Sequence, residues 1–243
     1  MRYVRATDVG GAVAALAGGG VALAGGTGLV PQIARGLLDA AVVVDVSRLE
    51  PLRELRLEAD ALHLGAGVRL ADLAARDDLP PEHAALAEAA AEVGNPLVRR
   101  IGTVGGNLGL RLPQADLQPP LLALGAEVVC AGPGGEERRP VADVVAGAVP
   151  PDRLILAVRV PLAPGSRSAF AKLAWRRSTG SSVASAAALV GPDGKTHVAV
   201  AGVAQATLVH PERPTEAMAG LDEHRRGLVA EVVRQALERA GRT

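Results

Sequence analysis

The chain has 243 residues, 49% of them hydrophobic, and its 26 basic and 26 acidic side chains cancel to a formal charge of zero. A chain of that size and apolar content buries a core of one or two domains. The charge balance excludes the basic face that nucleic acid requires and the attraction that an acidic membrane surface needs.

In chain order, Val9, Ala12, Val13 and Leu16 recur at helical spacing, and Gly18-Gly19-Gly20 stops that helix. Val21-Ala22-Leu23-Ala24 reads as a short buried strand, Gly25-Gly26-Thr27-Gly28 as a tight loop, and a helix is expected to begin near Leu29 with Pro31 in its first turn. Val42 to Val46 is a second β-branched run, which completes a unit of roughly fifty residues, too small to stand alone. Leu55, Leu57, Leu62 and Leu64 alternate with other residues as a half-buried hairpin would. Helices are predicted at 70–75 and 83–93. The segment from Gly94 to Asp116 is dense in Gly, Pro and Arg and shows no period of its own, as expected of a long loop that is either functional or disordered. Core character returns at Leu121, Leu122, Leu124, Val128 and Val129, ahead of a hairpin turn at 132–135. A buried strand spans 154–160, and Pro161 to Ser168 is the best linker candidate. Strands are predicted near 169–174, 183–190 and 197–203. The last element is an amphipathic helix with Leu228, Val229, Val232, Val233, Ala236 and Leu237 on one face. The coarse reading is an α+β chain of two covalently continuous domains.

Residue usage narrows the chemistry. Cys130 is the single cysteine, so there is no disulfide framework and no CxxC pair for zinc or an iron–sulfur cluster. The histidines at 63, 83, 197, 210 and 224 show neither HxH nor HxxxH spacing, so no protein-built metal site is expected. Trp175, Tyr3 and Phe170 are the whole aromatic complement, which excludes a base-stacking platform. No apolar run is long enough to cross a bilayer and the amino end lacks an apolar signal core, so a cytoplasmic protein is expected.

Two glycine-rich loops remain, Leu23-Ala24-Gly25-Gly26-Thr27-Gly28 and Ile101-Gly102-Thr103-Val104-Gly105-Gly106-Asn107. Glycine lets successive backbone N–H groups converge on an anion without side-chain clash, as a diphosphate needs. Neither loop matches GxGxxG or GxxxxGK[ST]. Either loop alone reads as a tight turn. Two of them, each with a threonine, shift the reading toward phosphate, and spacing goes no further.

The AGGTG loop, the segment IGTVGGN with PQADLQPPLLALGAEV after it, and the strand LILAVRVP ahead of AFAKLAWRRS resemble the FAD-binding medium subunit of molybdopterin hydroxylases, the family of carbon monoxide dehydrogenase and xanthine dehydrogenase. The likeness runs nearly the whole chain, from Tyr3 to the final helix. Its most specific element is TxGGN with an aspartate nine residues beyond the asparagine. The resemblance implies a PCMH-type FAD-binding domain of two α/β subdomains, 1–50 and 51–163, followed by a smaller α+β domain over 164–243. It carries over, as contacts of a non-covalent FAD, Leu23, Ala24, Gly25, Gly26, Thr27, Gly28 and Leu29 from the first loop. Thr103, Val104, Gly105, Gly106 and Asn107 follow from the second, with Asp116, Ile155 and Lys172 beyond. Asp116 taken alone reads as a helix N-cap ahead of Leu117, and Ile155 as a core strand residue. Three departures stand out: many relatives place Asp, Asn or Ser at Gly28, Asn at the Arg99-Arg100 pair, and eukaryotic members an aromatic ring at Val93. Trp175, close to Lys172 in sequence, is a candidate cover for the flavin. The implied function is electron relay, with molybdopterin on a large partner subunit and [2Fe–2S] clusters on a small one, and no residue of this chain is a catalytic nucleophile or base. The alternative class is a scaffold subunit of the same fold that has lost FAD.

Overall fold

The computed structural model describes residues 1–110, 112–175, 182–218 and 220–241. Near the amino end β1 (Arg2–Arg5) leads to α1 (Val9–Ala17), whose first turn is capped by Asp8 accepting from the Gly11 N–H at 2.7 Å. Gly19 turns the chain at φ 86° into β2 (Gly20–Leu23), and α2 (Leu29–Ala34) and β3 (Val42–Asp45) follow. These strands make a parallel sheet in the order β1-β3-β2, with Leu23 opposite Asp45. β1 lacks an apolar period, which is why the sequence did not reveal it. Its place is fixed by pairing and by the Tyr3 hydroxyl donating to buried Asp45.

The middle of the chain builds an antiparallel sheet. β4 (Leu55–Leu57) and β5 (Ala61–Gly65) form the expected hairpin, and α3 (Leu70–Ala74) and α4 (Ala84–Glu92) the expected helices. The segment read as a long loop instead holds α5 (Pro96–Ile101) and α6 (Val104–Gly109), capped by the side chains of Asn95 and Thr103. After α7 (Gln118–Ala123) come β6 (Glu127–Gly132), β7 (Gly135–Pro140), α8 (Val141–Val145) and β8 (Leu154–Pro161). The strand order is β4-β5-β8-β6-β7, all pairs antiparallel.

β9 (Arg167–Ala174), β10 (Ser182–Val190), β11 (Thr196–Ala201) and β12 (Thr207–Val209) form a third, antiparallel sheet, and α9 (Glu223–Gly241) lies against it. Both faces of this sheet are buried, which explains the nearly unbroken apolar run of β10. Phe170, Ala187, Leu189, Ala199 and Ala201 pack into the core beneath α3, α4 and α7, while Ala169, Ala171, Ala186, Ala188, Val198 and Val200 face Val229, Val232, Val233 and Ala236 of α9. The parallel sheet packs on the middle one through Ala131 and Leu154. No helix among the described residues is long and apolar enough to cross a membrane. The Arg176-Arg177-Ser178 end of the last family-like motif, and Arg111 of the segment 94–116, lie outside the described residues.

Candidate functional site

The loop after β2 and the turn between α5 and α6 meet. A Cβ added at Gly25 would stand 1.9 Å from the carbonyl oxygen of Ile101, and one at Gly102 would stand 3.4 Å from the Thr27 hydroxyl oxygen. Gly26 adopts φ 74°, which a residue with a side chain reaches only under strain. Gly28 sits against Leu110, where an added Cβ would fall 2.3 Å from Leu110 Cδ1. The leucine fills the space that a larger residue at position 28 would take.

The loops differ in what their backbones can still donate. In the second, the N–H of Val104 donates to Val68 O at 2.9 Å, that of Gly105 to Ala66 O at 2.8 Å, and that of Gly106 to Thr103 Oγ1 at 3.1 Å. In the first, the N–H groups of Gly25, Gly26, Thr27 and Gly28 donate to no described residue, while the carbonyls of Gly26 and Gly28 are tied down by Val30 N and Gln32 Nε2. The two turns lie in close contact, but among the described residues only the first keeps amides without a hydrogen-bond partner. Loop one holds the unspent donors. Thr103, whose hydroxyl oxygen accepts from Gly106, keeps its own proton to donate.

Around these loops lies a cleft of about 410 Å³, within the size range of small-molecule sites. Of the residues named from the sequence, 24 to 29, Thr103, Gly105, Gly106 and Ile155 line it. Leu23, Val104, Asn107, Asp116 and Lys172 do not. Leu23 turns its carbonyl to Val46 N just past β3, Val104 is fully buried at the start of α6, and Asn107 accepts from Leu117 N through Oδ1 at 3.3 Å.

Asp116 and Lys172 form a pair of their own, neighbouring α6 through that Asn107 contact. Lys172 Nζ donates to Asp116 Oδ2 and to Glu92 O, each at 2.7 Å, and both side chains are only 4% exposed. Burial pushes the Asp116 carboxyl up to about 6 even though the Lys172 ammonium opposes it. Asp116 Oδ1 is buried without a hydrogen-bond partner among the described residues. An orphaned acceptor of this kind is costly unless something else satisfies it. The helix-cap reading of Asp116 fails, since α7 has no side-chain cap. Trp175 is 83% exposed and covers nothing among the described residues. Val93 packs against the core, and Arg99 clamps the end of α4, its Nη1 donating to Val93 O and Gly94 O at 3.1 and 3.0 Å.

The sequence did not single out the rest of the lining, notably Ala22, Leu38, Pro150, Pro151 and Arg153. Of these only the run Pro150-Pro151-Asp152-Arg153, directly ahead of β8, carries a signal, since paired prolines punctuate a chain ahead of a strand.

Residues 1–163 match the family model for the FAD binding domain in molybdopterin dehydrogenase. The chain is 33% identical over 182 residues to the 6-hydroxypseudooxynicotine dehydrogenase complex subunit alpha of Paenarthrobacter nicotinovorans, covering 72% of this chain and 62% of that one. It is 31% identical over 169 residues to the nicotinate dehydrogenase FAD-subunit of Eubacterium barkeri, covering 66% and 57%. The alignments thus span about three-fifths of the length of these curated relatives. Among solved structures, a chain of carbon monoxide dehydrogenase from Hydrogenophaga pseudoflava superposes with a TM-score of 0.91 at 24% identity, covering 99% of this chain and 97% of that one, a likeness of fold.

Proposed function

This chain belongs to the FAD-binding domain family of molybdopterin dehydrogenases, and on that premise we propose that it holds one FAD non-covalently and serves as the electron-transferring subunit of a molybdenum hydroxylase complex. The observation that carries this reading is the row of amides from Gly25 to Gly28 that donate to no described residue, in a loop that lines the cleft together with the second glycine loop. Those amides and the Thr27 and Thr103 hydroxyls are suited to hold the diphosphate. Asp116 Oδ1, now unpartnered, is suited to accept from a ribityl or sugar hydroxyl, with Lys172 holding the carboxylate in place. Ile155 excludes water from the apolar wall. No His or Cys lies in either loop, which leaves no side chain there for a covalent flavin link. When bound, FAD supplies the redox chemistry, taking electrons and passing them to an outer acceptor.

A chain with one cysteine carries no iron–sulfur cluster of its own. Electrons are therefore expected across an interface, from the [2Fe–2S] clusters of a small subunit, after substrate oxidation on a molybdopterin-bearing large subunit in the cytoplasm. We assign FAD binding to 1–163, in subdomains 1–50 and 51–163, and the remaining sheet and α9 to a carboxy-terminal domain over 164–243. An absorption spectrum of the purified chain tests the cofactor. A yellow protein whose flavin is released by denaturation and rebinds to the refolded chain is the expected result. A colourless chain that ignores added FAD overturns the reading and leaves the scaffold class.

A further inference from the structure

The cleft wall has no group that can gain or lose a proton near neutral pH. Arg153 is the single charged side chain among the described residues that line it, and a guanidinium keeps its proton. Two buried carboxyls lie off the wall. Asp45 stands opposite Leu23, where β2 runs into the first glycine loop. Burial raises its carboxyl, but hydrogen bonds from Ser47 and Tyr3 outweigh that and hold it below the ordinary carboxylate range. It stays ionised.

Asp116 is built the opposite way. It is joined to the wall through α6, where Gly105, Gly106 and Gly109 line the cleft. Asn107, among them, accepts from the N–H of Leu117, the residue after Asp116. Lys172 Nζ occupies Oδ2 and is itself anchored on Glu92 O, each at 2.7 Å, while Oδ1 has no partner among the described residues. The charged groups that bear on the carboxyl are Lys172 of β9, which favours the anion, and Glu92 at the end of α4, which opposes it. From α5, Arg99 is turned to the carbonyls of Val93 and Gly94, and α6, α7 and β10 carry no charged side chain. The ionised form leaves one buried oxygen without a hydrogen bond, a cost that weighs on the anion more than on the neutral acid. The two forms therefore lie close in energy, and burial has brought the folded carboxyl up to about 6.

We propose that Asp116 is a redox-linked proton acceptor: it takes one proton from water at Oδ1 as an electron pair arrives in the cleft, and returns it as the pair leaves. The proposal rests on the FAD reading and gives the buried pair a task beyond contact. An iron–sulfur donor supplies the electrons and the outer acceptor removes them. The O–H bond at Oδ1 forms and breaks once per pair, in addition to any proton the cofactor carries. The driving force is charge. A negative charge arriving within about 10 Å, at an effective dielectric near 20, raises a carboxyl's proton affinity roughly tenfold. That is enough to take Asp116 from mostly ionised to about half protonated at pH 7. Lys172 is the positioning residue, since its ammonium fills Oδ2 and leaves Oδ1 as the place for the proton.

The test measures the midpoint potential of the FAD-loaded chain against pH by spectroelectrochemistry, for wild type and Asp116→Asn. Above pH 6 the wild-type potential should fall more steeply than the variant's, by up to one further proton per electron pair. That is tenfold in the reduction equilibrium per pH unit, about 30 mV for a two-electron couple. Near pH 5, where the carboxyl is neutral in both redox states, the two lines should run parallel. Parallel lines from pH 5 to 8, or a steeper line in the variant, overturn the proposal while the FAD reading stands. Should Asp116→Asn fail to fold or to hold flavin, the wild type decides alone through its reduced-minus-oxidised infrared difference spectrum at pH 7. A carboxylic-acid carbonyl band that moves in heavy water is expected there, and its absence overturns the proposal. A wild type that binds no flavin overturns both readings.

Discussion

Gly25 is the position where one methyl group asks most of the site. An alanine Cβ there would stand 1.9 Å from the Ile101 carbonyl oxygen, 2.7 Å from its carbon and 3.0 Å from Gly102 Cα, against an ordinary contact of 3.4 Å or more. The facing atoms are backbone, so no rotamer change relieves the overlap, and the two loops must part by roughly 1.5 Å. Overpacking of this kind costs about 1–3 kcal/mol. The apoprotein releases that strain by opening, and closing on a cofactor restores it. The expected result for Gly25→Ala is a modest drop in apoprotein stability and a rise in FAD Kd of about 5- to 150-fold, the same strain expressed as an equilibrium. Gly134→Ala is the control, since nothing lies within 4 Å of its added Cβ. Urea melts of the apoproteins and flavin-quenching titrations supply both numbers. FAD binding at wild-type strength by Gly25→Ala would refute the claim that close approach of the two loops builds the site.

Gly28→Ser should destabilise by about 1–3 kcal/mol through its overlap with Leu110, and adding Leu110→Ala should restore most of the loss, a coupling that a double-mutant cycle in urea reads directly. Lys172→Met strands the buried Asp116 carboxylate and should cost about 3–5 kcal/mol at pH 8. The sign follows from burial: the folded carboxyl already titrates near 6, above its ordinary 3.8, so its contribution to stability is fully present below the unfolded value and lost as pH rises through about 6. The variant's carboxyl should shift higher still, so its deficit shrinks at pH 5, and equal deficits at pH 5 and 8 would contradict this. Cys130 is fully buried and its thiol is pushed up to about 11 by that burial, so iodoacetamide at pH 8 should label the chain only after unfolding, as mass spectrometry can follow.

What the sequence disclosed and what it hid divide along physical lines. Elements held by local pattern were legible: α1 by its apolar spacing, the β4–β5 hairpin by alternation, α9 by its single apolar face. Elements held by distant partners were not. α6 contains Gly105, Gly106 and Gly109, poor helix formers, and exists because Val68 and Ala66 accept its first amides. β7, with the sequence GEERRP, has no apolar face and is a strand only through its register with β6. At the site, the glycine loops were visible because close approach demands glycine. The Asp116–Lys172 pair was named residue by residue through family likeness, yet their contact across 56 positions was not foreseen. The place of Arg153 in the cleft wall was invisible, since it depends on Gly132, Glu137 and Asp152 gathering around it in space.

A dianionic cofactor in a chain of zero net charge raises the question of what balances it. Arg153 is held by two carboxylates, and Lys172 is spent on Asp116. Neither has charge to spare for a phosphate. On the proposed reading the compensation falls on amide dipoles, and of the two loops only the first has amides without a partner among the described residues. Amides serve this purpose well only when they are already aimed, because reorientation on binding would consume what they gain. Here the Val30 amide and the Gln32 side chain brace the Gly26 and Gly28 carbonyls from behind, and the Ile101 carbonyl abuts Gly25 from the front. The second loop, its amides already committed to Ala66 and Val68, acts as the strut that supplies this front contact. Its glycines answer a demand for space, as Gly105 shows: a Cβ there would stand 2.6 Å from that of Ala66. On the proposed reading, two glycine loops that look equivalent in sequence thus do different work, one presenting donors and the other fixing where they point.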